Sequence, residues 1–165
     1  MIRHLARHKP KHVEDLQSIA YGFVDDVFVV LHRGDAIDER DWGMFVSEAR
    51  FSRKLPMMLI VPGRAMPDVS QRYDLIELHE KHHMKVAVLS DSKAVLRVVT
   101  ALKWAGVEAK GFAVDDLDGT LAFLERRHLW ARVSSALGPY LERSWLPDPS
   151  LLHSERESLL SSDGH

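Results

Sequence analysis

Three short, almost uninterrupted apolar runs constrain the fold most: VFVVLHRG (27–34), PMMLIVPG (56–63) and KVAVLS (85–90). A strand with one face in water alternates apolar and polar residues; runs without alternation belong to strands covered on both faces, as in the interior of a parallel sheet. Each run is followed by a segment with helical spacing. In DAIDERDWGMFVSEARFSRK, Trp42, Phe45, Val46 and Ala49 follow the i, i+3, i+4, i+7 spacing of a buried helix face, with Asp38 as N-cap and Asp41 in the first turn. RAMPDVSQRYDLIELHEKHH leads through a loop into a helix with Leu75, Ile76 and Leu78 inward. In SKAVLRVVTALKWAG, Val95, Val98, Val99 and Leu102 form the inner stripe behind a Ser90 or Asp91 cap, and Gly106 stops the helix.

A weaker fourth run, VEAKGFAV (107–114), predicts an edge strand, and the following DDLDGTLAFLERRHLWARVSSAL predicts a helix capped by Asp115 with Leu117, Leu121 and Leu124 inward. Gly138-Pro139 is expected to break or bend the helical pattern. Before the first run, LQSIAY and GFVDD predict a strand that closes a hairpin onto it through Asp25-Asp26. Four strand-then-helix alternations imply a single α/β layer architecture, with a mixed sheet of about four to five strands and four main helices. The expected organisation is a basic arm (1–14), an α/β domain (15–126), a C-terminal helical extension (127–146) and a flexible tail (147–165).

The arm carries Arg3, Arg7, Lys9 and Lys11, interleaved with His4, His8 and His12, while the tail is rich in Ser and charge. Overall the formal charge is −2, and Lys and Arg are spread along the chain, so nucleic-acid binding is not expected. Zero cysteines exclude disulfides, thiolate metal sites and cysteine nucleophiles. No run of 18 apolar residues and no signal-peptide core occurs, which predicts a cytoplasmic chain without membrane insertion.

Known catalytic patterns are scarce. G-x-G-x-x-G, G-x-x-x-x-G-K-[ST] and G-x-S-x-G are absent. Each of the acidic pairs Asp25-Asp26 and Asp115-Asp116 has a sufficient role at a turn or a helix start. His79-Glu80-Lys81-His82-His83 satisfies H-E-x-x-H, in which His79 and His83 would ligate zinc while Glu80 activates a bound water. With ten His in the chain, this pattern arises by chance on the order of a few per cent of the time. No downstream acid, Glu108 included, sits in a motif for a third ligand. The competing reading is a polar helix end, where His near the last carbonyls is favoured by the dipole. Trp104, near the end of its helix, is expected at the edge of the core.

From about Phe23 to Glu125 the order of strands and helices resembles the STAS family of sulphate transporters and anti-sigma factor antagonists. VFVVLHRGDAIDERDWGMFVSEAR is similar to the family's first long strand, its Gly-x-x-x-Asp turn and its first helix, with Gly34 and Asp38 at the matching points. PMMLIVPGRAMPDVSQRYDLIELHEK is similar to the strand, loop and helix that carry the family's regulatory serine. The resemblance implies a STAS-like domain without enzymatic activity or cofactor, acting as a regulatory or scaffolding module for a protein partner such as a kinase. It puts a candidate phosphoacceptor at Ser70 and a candidate partner face at Arg64, Asp68, Ser70 and Arg72. The family's Asp-Ser-Ser-Gly stretch matches Asp68-Val69-Ser70-Gln71, so one serine and the glycine are replaced, and Ser70 stays open to the role of an ordinary helix cap. A small apolar ligand or lipid carrier and the zinc hydrolase remain as alternatives, and homo-oligomerisation stays open.

Overall fold

The computed structural model describes residues 18–33, 36–63 and 65–145, with side chains described as far as residue 138. Its five strands are β1 (Ile19–Val24), β2 (Val27–His32), β3 (Met57–Val61), β4 (Lys85–Leu89) and β5 (Glu108–Phe112). They lie in one sheet in sequence order, with β1 antiparallel to β2 and every later pair parallel. The expected α/β class and mixed sheet are therefore observed, with β3 at the centre and β5 at an edge. Asp25 and Asp26 join β1 to β2 in a two-residue turn, closed by the pair Val24 and Val27, and Asp25 takes a left-handed φ of 52°. A short polar side chain tolerates that region better than a bulky one.

The helices are α1 (Glu39–Phe51), α2 (Val69–His82), α3 (Lys93–Trp104), α4 (Leu117–Phe123) and, after a 3₁₀ turn at Arg127–Leu129, α5 (Trp130–Trp145). Residues alternate between two cores on opposite faces of the sheet. On one face, Phe28, Val30, Met58, Ile60, Val86 and Val88 meet the inner stripes of α1, α2 and α3. Right-handed crossovers between strands laid down in order place all three helices on that side. The other face, with Val27, Val29, Leu31, Met57, Leu59 and Val61, is covered by Leu121 and Leu124 around α4 and by Leu129, Val133 and Leu137. Both faces are apolar because both are packed.

Most of the predicted inner stripes are buried, although Ile76 and Leu117 are only half-buried. Asp38 caps α1 as expected, accepting from the backbone N–H groups of Arg40 and Asp41. Other helix limits differ. Ser92, not Ser90 or Asp91, caps α3. Ser90 is buried and its N–H donates to the Phe112 carbonyl, extending the sheet, while Asp91 accepts from Val114 N–H in the loop after β5. Asp116, not Asp115, caps α4 through Gly119 N–H.

The single long helix expected after Asp115 is interrupted. α4 ends in a Schellman motif: Glu125 adopts φ 58°, its N–H donates to Ala122, and Arg126 N–H donates to Leu121 at 2.7 Å. Glutamate in place of the usual glycine at the left-handed position removed the sequence signal for a stop. Conversely, Gly138-Pro139 does not break α5. Proline disfavours helical backbone before it by clashing with the preceding residue's Cβ, and Gly138 has none. Trp104, expected at the core edge, is 88% exposed.

Two polar contacts fix α1. Ser18 donates from its N–H and its hydroxyl to the buried Asp41 carboxylate at 2.9 and 2.7 Å, joining the start of β1 to the first turn of α1. The Trp42 indole donates to Asp74 of α2 at 2.8 Å.

Candidate partner-binding surface

β3 runs into Pro62 and Gly63, whose φ of 58° turns the chain away from the sheet close to the His32 carbonyl. Ala65 is buried and donates to the Pro62 carbonyl, anchoring the loop. The chain then rises to Asp68, the N-cap of α2. Asp68 Oδ1 accepts from Gln71 N–H at 2.8 Å, while Gln71 Oε1 accepts from Asp68 N–H at 2.9 Å, forming a capping box. Gln71, where the STAS pattern has glycine, is thus the buried half of a cap.

Ser70 is the second residue of α2 and is exposed. The cap role open to it from sequence belongs instead to Asp68. Arg72, half-buried, donates from Nε to the Asp68 carbonyl at 3.2 Å. Asp68, Ser70 and Arg72 therefore lie together at one helix start, while Arg64 is outside the described residues. Sequence reasoning missed the apolar side chains among them: Met66, Val69 and Tyr73 are 48%, 59% and 65% exposed. Val69 and Tyr73 are one turn apart, as are Met66 and Ser70 in sequence spacing. The signal was present, since neither Val69 nor Tyr73 fits the inner stripe of Leu75 and Leu78.

The histidine motif has a different geometry from a helical ligand pair. α2 ends at His82, and His83 is its C-cap with a left-handed φ of 51°. His79 Nδ1 is 2.9 Å from the Met84 carbonyl, and the rings of His79 and His83 are 6.3 Å apart and nearly perpendicular. Among the described residues no three His, Asp or Glu side chains converge as metal ligands.

Of the two acidic pairs, Asp25 and Asp26 are both held by ion pairs, while Asp116 of the second pair serves as the α4 cap. Asp26 receives the Arg126 guanidinium through Nε at 3.0 Å to both oxygens and through Nη2 at 2.6 Å. That hydrogen bonding holds the Asp26 carboxyl below its usual range and raises Arg126 further. Asp25 pairs with Arg132 at 2.5 Å, so both turn residues tie the β1–β2 hairpin to the α4–α5 region.

Two other groups are displaced in pKa. His32, at the end of β2, is buried beside Trp42 with ring centroids 6.1 Å apart; burial lowers it to about 4, and its Nδ1 has no hydrogen-bond partner. Tyr21 is raised to about 12, chiefly by burial and then by the charges of Glu48 and Asp41.

No family model matches the sequence, and no curated protein matches it significantly. Among the described residues no helix is long and apolar enough to cross a membrane. The fold class is a single α/β layer architecture with a five-stranded mixed sheet.

Proposed function

We propose that this chain is a non-enzymatic regulatory or scaffolding module of STAS-like design, whose protein partner docks on the loop before α2 and its first two turns. Negative charge at Ser70 switches the contact. One observation carries the reading: Ser70 is exposed in the first turn of α2, relieved of capping by Asp68, and lies within four residues of the exposed Met66, Val69 and Tyr73. An apolar cluster with a tyrosine and an adjacent arginine is the composition of a protein-docking patch. The order of strands and helices from β2 to α4 supports the STAS likeness.

A phosphate on Ser70 would sit at the positive end of the α2 dipole, which stabilises it, and would place a hydrated dianion among the apolar side chains, which disfavours a partner resting on them. On this reading a kinase is one partner, no cofactor is needed and the compartment is the cytoplasm.

The test is affinity capture from native lysate with the wild type, Ser70→Ala, Ser70→Asp and Tyr73→Ala. A partner retained by the wild type and Ser70→Ala, and lost with Ser70→Asp and Tyr73→Ala, is the expected result. Because an acid in the first turn favours α2 by about 0.3–1 kcal/mol, loss with Ser70→Asp would not come from unfolding. Identical capture by all four proteins refutes the proposal.

A further inference from the structure

The starts of the four parallel strands are level. Val27 pairs with Met57, Met57 with Lys85 and Lys85 with Glu108, each the first residue of its strand. The segments that feed these strands therefore share one rim of the sheet, where α1 ends at Phe51, α2 at His82 and α3 at Trp104. Arg126 and Arg132 bring the start of α5 to the same rim by pairing with Asp26 and Asp25 of the β1–β2 turn.

This rim carries the two most exposed large apolar side chains of the described fold, Trp104 at 88% and Phe51 at 80%, and Trp130 is half-exposed at the start of α5. None of the three belongs to either core. The loops that hold Phe51 and Trp104 lead into β3 and β5, two strand spacings or about 10 Å apart.

Cations accompany the rings. Arg53, Lys54 and Lys103 are exposed, and none has a carboxylate partner among the described residues. Lys81 Nζ lies 6.0 Å from the centre of the Phe51 ring. The acids of the rim are mostly engaged: Asp25 and Asp26 as above, Glu108 and Glu125 by Lys85, with exposed Glu80 the exception. A helix dipole accounts for Lys103 in the last turn of α3. It does not account for Arg53 and Lys54, which lie beyond α1, nor for the aromatic rings.

Tryptophan and other aromatic rings at one level with lysine and arginine make up the belt by which proteins meet a bilayer surface, and free cations are drawn to anionic headgroups. Phe51 and Trp104 stand on separate loops with α2 between them, which suits a broad surface touched at several points. A single nucleic-acid strand needs instead a continuous basic track with stacked bases.

We propose that this rim is a docking surface for a membrane rich in anionic phospholipid, with Trp104 and Phe51 entering the headgroup layer and Arg53, Lys54 and Lys103 facing the lipid charge. The chain rests on the bilayer and does not cross it. Ser70, at the start of α2, then lies at the far end of the sheet, away from the lipid.

Co-sedimentation of the full chain with phosphatidylcholine vesicles containing about 30% phosphatidylserine tests this. Binding is expected to these vesicles, none to phosphatidylcholine alone, with release in about 0.5 M salt. Each cation near such a surface contributes about fivefold, so Arg53→Glu/Lys54→Glu/Lys103→Glu should weaken binding about a hundredfold with an unchanged circular dichroism spectrum. Trp104→Ala should weaken it as well, and brominated acyl chains should quench less of this variant's tryptophan fluorescence than of the wild type's. Absence of vesicle binding overturns the proposal, whether or not a single-stranded oligonucleotide binds instead. So does binding that the triple variant retains, which would assign it to the basic residues of 1–14.

Discussion

Replacing His32 by Phe should flatten the pH dependence of stability between pH 7 and 5. His32 is buried at the end of β2, and burial is the cause that lowers its pKa from 6.5 to about 4. In the unfolded chain the imidazole takes a proton as pH falls through 6.5; in the folded chain it stays neutral until about pH 4. The unfolded state therefore binds more protons in this window, and stability present above 6.5 is lost as pH falls toward 4. The full drop from 6.5 to about 4, at 1.36 kcal/mol per pH unit, corresponds to about 3 kcal/mol, of which about 2 kcal/mol is lost by pH 5. Phenylalanine keeps the ring beside Trp42 and leaves no buried polar atom in place of the unpartnered Nδ1. Urea unfolding of both proteins at pH 7 and pH 5 gives the two losses, and carboxylates elsewhere contribute equally to each. The wild type should lose about 2 kcal/mol more than His32→Phe. Equal losses in the two proteins would refute the reasoning, because a buried imidazole denied its proton must produce the difference.

Arg126→Ala removes the guanidinium that bridges Asp26 from the far end of α4. The Asp26 side chain is 43% exposed, so solvent screens the pair and the cost should be about 1 kcal/mol, shrinking in 1 M salt; a loss unaffected by salt would point to packing instead. Leu137→Ala should cost about 3 kcal/mol by denaturant unfolding, because Leu137 is fully buried against the second face of the sheet. A cost under about 0.5 kcal/mol would mean that α5 does not pack there in solution.

Local patterns alone determined a large part of this protein. The unbroken runs around Val29, Leu59 and Ala87 state that both faces of the sheet are covered, and the spacing of Trp42, Phe45, Val46 and Ala49 states which side of α1 is inside. Burial acts on every residue of a strand or stripe at once, so these signals survive any single substitution. The cap of α1 was readable too, since Asp38 stands immediately before the helical spacing begins. Tertiary structure decided the rest wherever neighbouring polar groups competed for one task. Ser92 caps α3 because the sheet holds Ser90 and the loop after β5 engages Asp91. Asp68 caps α2 with Gln71, which leaves Ser70 facing solvent as a surface group. Sequence-order crossovers put α1, α2 and α3 on one side, so the bare second face had to be met by α4 and α5, a demand that no local spacing states. The same packing buries His32 and leaves Trp104 in water, since the depth of a residue depends on what crosses over it and not on its own chemistry.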